Sequence, residues 1–158
     1  MELPSSLYKL DLRLRFSDID SAGIAYFGSF PSFFDESFIA AMRENNIRWD
    51  DHKKFKFLLP IIEQKTNFFH PLDLGDLASI YMGIIKIGNR SFRSQHLITV
   101  QKDGKDILVA TGYISRVTVG FETFKAIQIP ELLLNMLKKY NVNVELWNLI
   151  DQRLNVKL

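Results

Sequence analysis

The chain has 158 residues, 47% of them hydrophobic and 24% charged, with a formal net charge of +2. This fits one globular domain spanning residues 1–158 and excludes a disordered segment and a strongly basic nucleic-acid binder. Cysteine is absent, which excludes disulfides, cysteine–zinc sites and thiol nucleophiles.

Lys9, Asp11, Arg13 and Arg15 interrupt the apolar residues of the N-terminus, so no secretory signal is expected. The longest apolar runs, such as Phe57 to Ile62, are too short to cross a bilayer. A cytoplasmic protein with no membrane span is the expectation. The same four charged residues alternate with Leu10, Leu12, Leu14 and Phe16, which predicts a half-buried strand over Leu7 to Phe16. Ser17 to Gly28, with its Ser, Asp and Gly, predicts a structured loop.

Ser29 to Asn45 predicts the main helix. Phe30, Phe33, Phe34, Ser37, Phe38, Ala41 and Met42 fall on one broad face. Pro31 suits the first turn, Asp35 and Glu36 are read as early enough to face the positive end of the dipole, and Asn45-Asn46 is a stop. With 13 Phe in the chain, a Phe-rich core is the plain reading and a flat apolar pocket the sharper one.

From Phe57 the pattern is mostly β. One extended run is predicted over Leu58 to Phe69, ending at His70-Pro71, with a turn at Asp73 to Asp76. Strands follow over Leu77 to Ile87, Ser91 to Gln101 and Ile107 to Val119, with hairpin signals at Gly88-Asn89 and Asp103-Gly104. A helix is predicted over Pro130 to Tyr140 and a short one over Glu145 to Leu154. The order implies an α+β fold, an antiparallel sheet curled around a central helix, with edges that invite pairing of two copies.

The loop Phe16-Ser17-Asp18-Ile19-Asp20-Ser21-Ala22-Gly23-Ile24-Ala25-Tyr26-Phe27 carries the chemistry most worth weighing. As a calcium loop it fails, because Ala22 stands at the next ligand position and no Glu closes it. Two readings stay open: a turn held by Asp side chains bonding backbone N–H groups, or a carboxylate base or nucleophile beside donors at a helix N-terminus. No metal is expected. Among the histidines, His52 reads as a solvated loop residue, His96 as a satisfied mid-strand residue, and His70 as near a pocket. No Gly-x-Ser-x-Gly is present, which argues against a serine-triad hydrolase.

The stretch "FSDIDSAGIAYFGSFPSFFDES" resembles the signature of the 4-hydroxybenzoyl-CoA thioesterase family of hotdog enzymes. Leu59-Pro60, Phe68-Phe69-His70-Pro71 and Gly75-Asp76 further resemble the 1,4-dihydroxy-2-naphthoyl-CoA hydrolases of phylloquinone-making organisms. The resemblance, over about Leu7 to Pro130, implies a hotdog fold and hydrolysis of an aromatic acyl-CoA. It implies that Asp20 is the catalytic acid, that Asp18 is structural, and that the Phe27 backbone N–H polarises the thioester carbonyl beside Gly23. Asp35 matches a helical acid near the acyl pocket, while Arg90, Ser91 and Lys125 match basic stretches that hold CoA phosphates. Gly88 and Asn89 stand where some members carry further Arg.

No cofactor is implied, since CoA is part of the substrate, and the family's habit implies a homotetramer built as a dimer of dimers. The alternatives are a broad acyl-CoA or acyl-carrier-protein thioesterase, a non-catalytic hotdog binding protein, and a hotdog dehydratase. No His in the Asp20 loop counts against the last.

Overall fold

The computed structural model describes residues 3–48, 52–145 and 147–148. The chain forms strand β1 (Tyr8–Arg13), helix α1 (Phe30–Glu44), helix α2 (His52–Phe55) and strands β2 (Phe57–Leu58) and β3 (Ile61–Phe68). Strands β4 (Leu77–Ile87), β5 (Ser91–Lys102), β6 (Lys105–Val117) and β7 (Val119–Gly120) follow, then helix α3 (Glu131–Lys139). A five-stranded antiparallel sheet has the order β1-β4-β5-β6-β3, and β2 pairs with β7 in a separate two-stranded ribbon. The sheet carries α1 on one face, the α+β arrangement that the element order implies and that the family resemblance identifies as a hotdog fold.

Large apolar residues at helical spacing give α1 a face that must be covered. Phe33, Phe34, Phe38 and Met42 are fully buried there, together with Ile80, Met82, Ile98 and Ile114 from the inner strands. Each such side chain contributes roughly 1.5–3 kcal/mol of burial. The approach of helix to sheet is close at Gly112. A Cβ there would lie 2.3 Å from the Lys65 carbonyl oxygen and 2.6 Å from the Phe34 ring. On the opposite face Leu7, Leu97, Val142 and Trp147 form a smaller cluster. Helix α3 buries Leu133, Met136 and Leu137 in the same core as Phe38 and Met42.

Several expectations are corrected. The extended run Leu58 to Phe69 is two strands, β2 on β7 and β3 on β6, parted at Leu59-Pro60. Proline has no N–H for a ladder, so the chain changes partner there. The first strand stops at Arg13, and Phe16 enters a 3-10 turn with its ring exposed instead of continuing the inward alternation. Helix α1 begins at Phe30, after a 3-10 turn over Phe27–Ser29, so Asp35 and Glu36 lie beyond its first turn, which holds no acid. His52 opens a short helix, not a loop. The end of the short helix expected over Glu145 to Leu154 lies outside the described residues. Among the described residues no helix is long and apolar enough to cross a membrane.

Candidate active site

The acidic loop folds back on itself through its own backbone. The Asp20 N–H donates to the Ile24 carbonyl at 2.9 Å, and the Gly23 N–H donates to the Asp20 carbonyl at 3.0 Å. Gly23 takes φ +82°, the left-handed region that a side chain disfavours. The turn is tied to the rest of the fold by the Ala25 N–H on the Leu72 carbonyl at 2.8 Å and the Tyr26 N–H on the Asp18 carbonyl at 2.8 Å.

The two carboxylates of the loop have different surroundings. Asp18 is buried, and its Oδ2 accepts the Arg15 backbone N–H at 2.9 Å and the Arg15 Nε–H at 3.2 Å. Asp20 is half-buried; its Oδ1 accepts the Ala22 N–H at 2.8 Å. Among the described residues no donor bonds to Asp20 Oδ2. The first carboxylate is thus committed to the turn, and the second keeps an oxygen for other work.

Asp20 opens onto a cleft of about 510 Å³ walled by Phe27, Phe30, Phe68, Phe69 and Leu72, with His70 as its other titratable group. The volume lies within the usual range for small-molecule sites. The 3-10 turn that opens at Phe27 runs directly into α1. Its first N–H groups have no carbonyl of their own helix to meet. A carboxylate oxygen, flat aromatic walls and the residue that opens this turn, Phe27, therefore share one cleft.

His70, read from the sequence as near a pocket, lies in the wall of this cleft. Its Nδ1 lies 2.7 Å from the Pro71 carbonyl oxygen. A carbonyl only accepts, so Nδ1 carries a proton, and in the neutral ring Nε2 is the lone pair. The His-Pro pair was visible in the sequence. Its place beside Asp20 was not, because it arises from the strand end at Phe68 reaching the loop across the sheet.

Arg90, Ser91 and Lys125 border one short segment, residues 117–120, through their backbones. The Thr118 N–H donates to the Arg90 carbonyl at 2.7 Å, and the Gly120 N–H donates to the Lys125 carbonyl at 3.0 Å. The Phe121 N–H donates to the Lys56 carbonyl at 2.9 Å, which adds a third cation that the sequence reading missed. Among the described residues none of these three cations pairs with a carboxylate. The cluster is not beside Asp20, however. Phe68, in the cleft wall, pairs with Ala110, while Ile61 pairs with Arg116 next to the Ser91 end of β5. Six residues of β6 at roughly 3.3 Å each put about 20 Å between those two ends of the sheet.

Asp35 lies along α1 and forms an ion pair with Arg116, whose side chain is almost fully buried. Among the described residues no group of three or more His, Asp or Glu side chains has metal-binding geometry.

A family model described as the thioesterase-like superfamily matches residues 14–137. A protein of Prochlorococcus marinus subsp. pastoris named 1,4-dihydroxy-2-naphthoyl-CoA hydrolase is 28% identical over 150 residues, covering 90% of this chain and 97% of its own. The crystal structure of a 1,4-dihydroxy-2-naphthoyl-CoA thioesterase from Synechocystis superposes with a TM-score of 0.75 at 18% identity, over 84% of this chain and 96% of its own. A gentisyl-coenzyme A thioesterase superposes with a TM-score of 0.71 at 25% identity, over 82% of this chain and 98% of its own.

Proposed function

The chain belongs to the thioesterase-like superfamily, and from that premise we propose that it hydrolyses an aromatic acyl-CoA, with 1,4-dihydroxy-2-naphthoyl-CoA, an intermediate of phylloquinone synthesis, as the leading substrate. The observation that carries the reading is the half-buried Asp20 carboxylate on a cleft walled by Phe27, Phe30, Phe68 and Phe69. The cleft suits a planar acyl group, and relatives named for hydroxylated aromatic acyl-CoA substrates support it.

A thioester carbonyl is open to attack because sulfur gives it little resonance protection. In one route Asp20 Oδ2 adds to the carbonyl carbon, and the Phe27 N–H receives the oxyanion. The C–S bond breaks, CoA leaves as thiolate, and water then cleaves the mixed anhydride and restores the carboxylate. In the other route Asp20 takes a proton from a water that adds directly. In the first route His70 Nε2 can accept a proton from the water that cleaves the anhydride and pass it to the thiolate; in the second Asp20 returns to the thiolate the proton it has taken. Gly23 shapes the turn that holds Asp20.

The CoA phosphates go to Arg90, Ser91 and Lys125, with Lys56 beside them. Their distance from the cleft in one chain supports an assembly of two copies. Strand β3 is one edge of the sheet and exposes Ile61, Ile62 and Phe68. Antiparallel pairing of two such edges brings the Ile61 end of one copy to the Phe68 end of the other. Each cleft then meets the other copy's basic cluster. We propose this dimer as the unit of a cytoplasmic homotetramer. No cofactor takes part.

The test is CoA release measured over a panel of aryl and alkyl thioesters. Greater kcat/KM on the aryl members is expected. Preference for straight-chain acyl groups would move the assignment to a broad acyl-CoA thioesterase, and binding without hydrolysis would make the chain a ligand-binding protein.

A further inference from the structure

The chain leaving β7 turns back on itself in a tight tip, Phe121 to Lys125. The Gly120 N–H donates to the Lys125 carbonyl at 3.0 Å, and the Phe124 N–H donates to the Gly120 carbonyl at 2.9 Å. Val119 bridges to Ala126, and the Ile127 N–H donates to the Thr118 carbonyl at 2.9 Å, so the tip stands on a paired base. Phe124 is 72% exposed at this tip and holds φ +53°.

Folding does not call for a phenylalanine there. A left-handed backbone disfavours any side chain, and Gly or Asn is its usual occupant. A bulky residue in that region is an outlier, and one this exposed buries little apolar area in return. Strain of this kind gathers where a side chain is held for function.

The surroundings of Phe124 are cationic. Lys125 follows it, the Lys56 carbonyl accepts the Phe121 N–H at 2.9 Å, and the Arg90 carbonyl accepts the Thr118 N–H at 2.7 Å at the base of the turn. Lys56, Arg90 and Lys125 are all exposed, and Lys56 is itself left-handed at φ +54°. Glu122 is the acid of the tip, and the three cations outnumber it. Ile127, level with Thr118, is three residues from Phe124, at most about 10 Å of chain. An exposed aromatic face that close to several cations offers a surface for a base and charges for its phosphates, the two halves of a nucleotide.

We propose that Phe124 is a stacking platform for the adenine of CoA, placed so that the phosphates of the same nucleotide reach Arg90, Lys125 and Lys56. This rests on the acyl-CoA reading above and adds a selectivity to it. Thioesters without the adenosine end, such as those of pantetheine or an acyl-carrier protein, gain nothing from Phe124. The ring thus favours CoA as the carrier whatever the acyl group.

Calorimetric titration of free CoA, and of 4′-phosphopantetheine, which lacks the adenosine 3′-phosphate, tests the platform without any turnover. Wild type is compared with Phe124→Ala, Phe124→Trp and Phe124→Gly. Phe124→Ala is expected to weaken CoA binding about tenfold, and Phe124→Trp to stay within about threefold of wild type. Binding of 4′-phosphopantetheine should be alike in all four. Phe124→Gly is expected to melt at a higher temperature than wild type while binding CoA as weakly as Phe124→Ala, which a purely structural side chain would not do. Unchanged CoA binding in folded Phe124→Ala overturns the inference. So does a loss shared equally by 4′-phosphopantetheine, or one that comes only with a change in the sedimenting species. A wild type that binds CoA no tighter than 4′-phosphopantetheine overturns it as well. A wild type that binds CoA but releases none from any thioester sinks the hydrolase reading alone, and the Phe124 comparison still decides the platform.

Discussion

The imidazole of His96 stacks on the ring of Phe34, with centroids 4.7 Å apart and planes 20° from parallel. The pair joins α1 to β5 at a point where His96 is fully buried. Burial first, and the Arg116 charge second, lower the His96 pKa well below 6.5. The unfolded chain therefore takes up the proton before the folded one does. Stability from neutral His96 is complete above about pH 6.5 and falls as pH drops below it, by up to about 1.4 kcal/mol per pH unit until the folded group titrates. Denaturant midpoints of wild type and His96→Gln, measured from pH 7.5 to 5, should converge as pH falls. A constant gap across that range would contradict the account.

Gly23 holds φ +82° with no atom within 4 Å of an added Cβ. Its replacement by Ala therefore meets backbone strain and no clash. A loss of about 1 kcal/mol in folding stability is expected. Because this turn holds Asp20, kcat should fall more than KM rises. Steady-state kinetics beside thermal denaturation check both effects.

His70 keeps its proton on Nδ1 through the Pro71 carbonyl. His70→Gln removes the Nε2 lone pair while leaving Asp20 in place. A drop in kcat of roughly 10²-fold is expected if that lone pair accepts the water proton. Single-turnover experiments locate the loss: slowed water attack with normal acyl transfer fits the role, and unaltered rates at every step remove it.

Ile62 is 62% exposed on the edge strand β3. Charged side chains on an edge oppose edge-to-edge pairing. Ile62→Lys is expected to shift the sedimenting species toward the monomer and to raise KM for acyl-CoA, since the basic cluster would no longer reach the paired copy's cleft. A variant that sediments as a monomer with unchanged KM would separate substrate binding from assembly.

Much of the fold was legible because periodicity speaks locally. The alternation of Leu10, Leu12 and Leu14, the face of Phe30, Phe34 and Phe38, and the turn at Asp103-Gly104 each announced its element. What failed was local punctuation overridden by tertiary partners. Leu58 and Ile61 looked like one strand, yet they pair with β7 and β6 respectively. Asp20 could be singled out by its loop motif. His70 could be placed near a pocket but not in the same cleft as Asp20, and Lys56 could not be singled out, because their neighbours are assembled by the fold. Arg116 was the least legible, since nothing in a β-rich run announces that its partner is Asp35, 81 residues earlier.

The most direct measurement compares wild type with Asp20→Asn for CoA release from 1,4-dihydroxy-2-naphthoyl-CoA and 4-hydroxybenzoyl-CoA, with circular dichroism to establish folding. Asn keeps an oxygen for the Ala22 N–H but has neither the charge nor the basicity for attack or water activation. A fall in kcat of roughly 10²–10⁴-fold with the fold intact is the expected result. A folded variant that releases CoA at the wild-type rate would contradict the account.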